Sequence, residues 1–214
     1  MMQSPQISET GSLSNLFRKS ELTDITIVVG NKELHFSKYP LMDASTMLKK
    51  LIVESEDQSR LKLEDVKYDE MVLFLACLHP QQLMSITDTN LERVLTIAHL
   101  FKHVGVLKKC EDYIVQQFEV MRETNDGMYP HFFFHLRIAE MYCLTKAIAA
   151  GLSSESVQMA YYNSKSLGEN AQLEGYKDNE DFKKLSLEMQ MDILRKRLET
   201  AEAMINPNNP YQFC

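Results

Sequence analysis

The stretch "LTDITIVVGNKELHFSKYPL", Leu22–Leu41, decides the fold. Ile25, Ile27 and Val29 alternate with Thr26 and Val28, the period-two pattern of a strand with two distinct faces. Gly30-Asn31 can supply the positive φ of a tight turn. "ELHFS" then returns with Leu34 and Phe36 on one side. Pro40 suits the first turn of a following helix, where its missing N–H costs nothing. The segment therefore predicts a β-hairpin running into a helix. It also places two charges, Asp24 and Lys38, beside its most apolar face.

Reading outward, "PLMDASTMLKKLI" predicts a helix with Leu41, Met47, Leu48 and Leu51 as its apolar stripe. "VESEDQS" is an acidic loop, and "RLKLEDV" predicts a third strand with Leu61 and Leu63 pointing one way. "KYDEMVLFLACLH" is an apolar helix with Met71, Leu75 and Leu78 on one stripe, ended by Pro80. Thr87 or Asp88 is the expected N-cap of a helix facing Leu91, Val94, Leu95, Ala98 and Phe101 inward. Gly105 is expected to break that run before another amphipathic helix, "VLKKCEDYIVQQFEV".

Beyond about residue 130 the pattern is helical throughout, in "HFFFHLRIAEMYCLTKAIAAGLSS", "SSESVQMAYYNS" and "LSLEMQMDILRKRLETAEAM". The last of these carries Leu187, Met191, Leu194 and Leu198 as its stripe. No internal repeat is evident. "MRETNDGMYP", 121–130, is polar, contains Gly127 and Pro130, and marks a boundary. The reading is α+β: a disordered 1–14, a mixed domain at 15–120, a helical extension at 131–204 and a tail at 205–214.

The formal net charge of −7 weighs against a nucleic-acid partner. "RKS" at 18–20 and "RKR" at 195–197 are local basic runs that also fit solvated helix faces. The four cysteines are widely spaced with no CxxC, so a reducing, intracellular setting fits better than a disulfide framework. No apolar run has the ~20 residues that cross a bilayer, and the polar N-terminus has no secretory h-region, so no membrane partner is expected. The compartment, cytoplasm or nucleus, is left open.

The motifs of the common catalytic folds are missing, and the seven glycines are too scattered for a phosphate-cradling loop. Glu54, Glu56 and Asp57 read as a charged loop rather than an acid–base pair, and Cys143 as a buried small hydrophobe rather than a nucleophile. His99 and His103 stand at i, i+4, with Cys110 beyond and Cys77 or His79 as a conceivable fourth ligand. Ordinary core and boundary residues explain them better. No catalytic residue, cofactor or metal is expected, and the protein is read as not an enzyme. Three aromatics in a row, Phe132–Phe134, cannot all face one way; packing of the extension explains them better than a partner contact.

Taken in order, "LTDITIVVGNKELHFSKYPL", Ser45, "LKLEDV", "MVLFLACL" and "SITDTNLERVLTIAHLFKHVGVLKKC" resemble the BTB/POZ family over residues 15–120. The His79-Pro80 pair and the tail resemble the MATH-BTB branch more than the Kelch-like branch, with a BACK or three-box-like helical segment, although no MATH-like segment stands ahead of it in this sequence. The resemblance implies an interaction protein: a homodimer that recruits a cullin-3 scaffold and serves as substrate adaptor for ubiquitin ligation, its protein substrate unknown. The alternative it leaves open is a scaffold or transcription-related protein that self-associates without engaging a cullin. It places Asp24 and Lys38 in a charged cluster near the subunit interface, against a local reading in which the carboxylate caps backbone N–H groups. Leu16 and Phe17 are expected to be exposed and covered by self-association. Ile52-Val53-Glu54 has the hydrophobic-x-Glu form of a cullin contact, expected in a loop outside the core; read from the strand side, the element falls on Val53-Glu54-Ser55. Helix ends near 85–90 and 120–130 would complete that contact.

Overall fold

A computed structural model describes residues 13–80, 82–124, 131–153 and 179–205, the side chains of 121–124 and 200–205 excepted. The expected helix at "SSESVQMAYYNS" and nearly all of the tail lie outside the described residues. The chain divides into two compact units, residues 1–110 and 111–214. The boundary expected at 121–130 lies mostly outside the described residues.

The first unit opens with a single 3-10 turn, Ser14–Phe17. Strands β1 (Ile25–Val29) and β2 (Lys32–Phe36) form the hairpin, antiparallel, with Ile27 opposite Leu34. Gly30 takes φ +59, and a Cβ there would meet nothing, so the constraint is the backbone conformation itself. Strand β3 (Arg60–Leu63) adds on the other side of β1 and runs parallel to it, giving the order β2-β1-β3. Ile27, Leu34 and Leu61 are buried, as the alternation requires. Val28, on the opposite face, is also buried, and there Arg60 reaches Glu33 at 2.7 Å from the far strand. That exposed ion pair contributes little stability itself.

Between β2 and β3 the chain forms two helices, α1 (Lys38–Asp43) and α2 (Thr46–Glu54), rather than the single one expected. The break is made by Ser45, whose hydroxyl accepts the Leu48 N–H and donates to the Phe101 carbonyl. The break resets the helical phase. Leu41, Leu48 and Ile52 are buried, while Met47 and Leu51, expected inside, are partly exposed. Helix α3 (Tyr68–Leu78) is buried all round from Met71 to Cys77 and forms the centre of the unit. Helix α4 (Leu91–Leu100) buries Leu91, Val94, Leu95 and Ala98, with Phe101 just past its end. Its N-cap is Asn90, not Thr87 or Asp88; the Asn90 side chain accepts the Thr87 N–H and donates to Ser85 O. Gly105 does not break the chain here. Helix α5 (Val104–Thr124) begins before it, and the break falls at Lys102, which takes φ 50.

Among its described residues the second unit is helical. It contains the C-terminal part of α5, then α6 (Phe132–Met141), α7 (Thr145–Ser153), α8 (Glu180–Lys183) and α9 (Leu187–Ile205). The aromatic run packs internally: Phe132 lies 5.4 Å from Phe118 and Phe133 lies 5.1 Å from Phe182, ring centre to ring centre. Cys143 was expected to be buried within one long helix. Instead it is exposed at the break between α6 and α7, with φ 54. Ser186 caps α9 by accepting the Met189 N–H, and Glu140 accepts hydrogen bonds from the Ser186 N–H and hydroxyl. The inward face of α9 is formed by Met189 and Ile193, in line with the buried Leu185. Leu187, Met191, Leu194 and Leu198, read from the sequence as that face, are on the outside.

Candidate functional site

The charged residues of the opening stretch do local work. Asp24 is exposed, and its Oδ1 accepts the backbone N–H of Lys38 at 2.7 Å. The carboxylate thereby accepts the first N–H of α1, at the helix end where a negative charge is favoured. Lys38 contributes its backbone to this bond, and its charge acts elsewhere. The Ser59 hydroxyl and N–H hold the Asp57 carboxyl below its ordinary range, and the Arg60 and Lys38 cations add to that.

Phe17 is not exposed as expected. It is buried, with its ring 6.0 Å from Phe36 and 6.1 Å from His79. The aromatic trio fixes the N-terminal turn onto β2 and the end of α3. Leu16 is half-buried and lines a groove of about 580 Å³ with Leu22, Tyr39, Pro40, Leu78 and His79. Leu22 and Tyr39 are 84% and 73% exposed, so the groove wall presents large apolar side chains to solvent, with Arg18 and Lys19 among its lining. This is the first candidate interaction surface. Phe17 is not part of its lining but packs against two residues that are, Phe36 and His79.

The second surface is the outer edge of α2. Ile52-Val53-Glu54 is not a loop outside the core but the last turn of this helix. Ile52 is 2% exposed and cannot serve as an exposed anchor. Val53 is 51% exposed, and Glu54 beside it is exposed and 3.9 Å from Lys50. Met47 and Leu51 add partly exposed apolar area on the same helix.

The conceivable metal ligands are separated. Helix α4 ends at Leu100, so His99 and His103 do not share a helical face. His99 is exposed, whereas His103 is buried, with Nε2 3.1 Å from Pro40 O and Nδ1 accepting the Val106 N–H at 3.3 Å. Since Nδ1 accepts, Nε2 carries the proton and donates to Pro40 O. His79 belongs to the aromatic trio. Burial pushes the Cys77 and Cys110 thiols up to about 11 and about 12. Among the described residues no three His, Cys, Asp or Glu side chains converge on a metal position, and no helix is long and apolar enough to cross a membrane.

A three-stranded mixed sheet packed around a central buried helix defines an α+β domain, and it turns large apolar side chains outward at the groove and along α2. Residues 13–118 match the family model of the BTB/POZ domain, and the chain is a BTB/POZ-domain protein. It is 26% identical over 138 residues to BTB and MATH domain-containing protein 36 of Caenorhabditis elegans. That match covers 63% of this chain and 40% of the relative, so the chain spans about two fifths of that protein's length.

Proposed function

We propose that the chain is a homodimeric adaptor that recruits a cullin-3 scaffold to a protein substrate and performs no chemistry of its own. The observation that carries this reading is the outward edge of α2 in a BTB/POZ domain, where Val53 and Glu54 stand free of the core at the end of a rigid helix. An exposed apolar side chain next to a carboxylate makes a compact hot spot, one docked group plus one charge-assisted hydrogen bond. Burial of Ile52 moves the apolar position of that contact to Val53. The groove beside Leu16, Leu22 and Tyr39 would be the surface for self-association, which closes most simply as a two-fold dimer. The adaptor's contribution is effective concentration between scaffold and target. Cys77 and Cys110, with their raised pKa values, would remain thiols at neutral pH, in keeping with a binding role.

The rival reading is a self-associating scaffold that does not bind cullin-3; what favours it is that Ile52, the first residue of the hydrophobic-x-Glu form, is buried. Co-elution of the purified chain with the N-terminal region of cullin-3 separates the two. A shared peak is expected, and separate elution at micromolar concentration would leave the scaffold reading.

A further inference from the structure

A second cavity, of about 430 Å³, opens in the first unit at the end of the sheet away from the groove. Strand β1 runs antiparallel to β2 and parallel to β3, so the hairpin turn, Lys32 and the end of β3 lie together, whereas Ile25 and Phe36 mark the other end, where the groove is. The cavity is lined by Lys32, Arg93 and four consecutive residues at the start of α3, Lys67, Tyr68, Asp69 and Glu70. Its carboxylates have a structural role. Asp69 and Glu70 stand in the first turn of α3, where negative charge is favoured, and Glu70 is paired with Lys67 at 3.0 Å. Arg93 has no such role. It is half-buried in the first turn of α4, the helix end where a cation is disfavoured, and among the described residues no carboxylate pairs with it. Lys32 is exposed, with its ammonium 4.3 Å from the centre of the Tyr68 ring. A cation–π contact of this exposed kind is weak and leaves the ammonium able to bond an anion. A charge that breaks the local electrostatic preference without internal compensation is a feature proteins keep at functional sites.

We propose that this cavity receives the carboxylate of an acidic side chain carried by a partner protein, with Arg93 and Lys32 as its cations. The guanidinium offers a planar fork matched to a carboxylate, and half-burial strengthens that bond relative to a fully solvated pair. The Tyr68 ring is a wall for the aliphatic part of the same side chain. Charge also chooses the ligand. Three cations against two carboxylates leave one positive charge, which a single carboxylate neutralises and a doubly charged phosphate would overshoot. The net charge of −7 repels acidic partners in general, so the attraction is confined to this cavity and is short in range. The site shares no residue with the outer edge of α2 or with the groove, so it does not depend on the cullin reading.

Titration of the isotope-labelled full chain with the capped peptide Gly-Glu-Ala-Glu-Gly, followed by NMR of the amide and arginine side-chain N–H signals, tests this. The Lys32, Tyr68 and Arg93 signals should shift and saturate in roughly the millimolar range, and more peptide should be needed as salt is raised. The peptide Gly-Gln-Ala-Gln-Gly should leave them in place. Arg93→Gln should weaken binding at least about fivefold with no fall in melting temperature, since it removes a cation from the first turn of α4. If it does lower the melting temperature, Lys32→Gln, at an exposed position, decides instead, with a weakening of at least about threefold. No shifts, equal shifts with the glutamine peptide, or a deciding variant that binds as well as the wild type would overturn the proposal. So would a phosphoserine peptide of the same length bound more than about tenfold tighter, which would make this a phosphate site.

Discussion

Two helix–turn–helix segments, one in each unit, share a backbone and differ in how the turn is sealed. In the first, α4 ends with Phe101 N–H bonded to Ile97 O, Lys102 N–H to His99 O and His103 N–H to Ala98 O. In the second, α6 ends with Tyr142 N–H bonded to Ile138 O, Cys143 N–H to Glu140 O and Leu144 N–H to Ala139 O. The sequences are "IAHLFKH" and "IAEMYCL", and both are Schellman endings with a non-glycine residue in the left-handed position. The buried alanines Ala98 and Ala139 correspond, as do Leu95 and Leu136. What differs is the residue after the turn. His103 seals the first turn with polar bonds to Pro40 O and Val106 N–H, whereas buried Leu144 occupies the same place in the second. The first turn is further tied to the α1–α2 break, where Ala44 O accepts the Val104 N–H and Ser45 donates to Phe101 O. One backbone ending thus serves both a polar and an apolar seal, and side-chain surroundings decide which.

The largest test of the correspondence is Gly151→Cys, which gives the second segment the residue, Cys110, that the first carries at the matching place. A Cβ at 151 would lie 3.0 Å from Leu136 Cδ1 and 3.1 Å from the Phe118 ring. Overpacking should cost about 3 kcal/mol in denaturant unfolding, and a neutral result would show that the second segment has room the structure does not display. Ser45→Ala removes a helix cap and strips a buried carbonyl of its donor. A loss of about 2 kcal/mol is expected by the same measurement.

The polar seal should also respond to pH. Burial holds His103 below its ordinary value of 6.5. The unfolded chain then takes up the proton first, so the stability of the seal is complete above about pH 6.5 and falls as pH drops through and below that value. His103→Leu, which copies the second turn, should flatten this part of the stability–pH profile. An unchanged profile would show that His103 is not the titrating group. The smallest effects belong to the left-handed positions. Lys102→Gly and Cys143→Gly should each stabilise by up to about 1 kcal/mol, read as small rises in melting temperature. Similar gains confirm the shared backbone, and a gain at one site alone would break the correspondence.

The hairpin, the third strand and the inward face of α4 were legible in the sequence because periodicity there coincides with burial. The turn at Lys102 and the one at Cys143 were not, because sequence punctuation points to glycine and these turns use none. Gly105 drew attention in the first, and nothing marked the second. The correspondence between the two segments was hidden for the same reason, since it resides in backbone bonds and burial more than in shared letters. The two faces of α9 were misassigned because the helix carries two apolar stripes, and periodicity alone cannot say which one finds a core. Ile52 was misplaced on the assumption that the acidic run began a loop, whereas α2 extends to Glu54. The match to the family was readable from the order of its pieces. Asp24 illustrates the limit of that kind of reading: its observed hydrogen bond is a helix-end contact with Lys38 N–H that the local sequence had also offered.

In the proposed adaptor, helix α2 divides its labour: Ile52 is in the core, and exposed Val53 would meet the cullin. Calorimetric titration of the cullin-3 N-terminal region into wild-type chain, Val53→Asp and Ile52→Asp, paired with melting curves, tests it most directly. Val53→Asp should keep its melting temperature and lose about 2 kcal/mol of binding, roughly thirtyfold, while Ile52→Asp should fail to fold. Wild-type binding with Val53→Asp unimpaired, or a folded Ile52→Asp that has lost binding, would contradict the account.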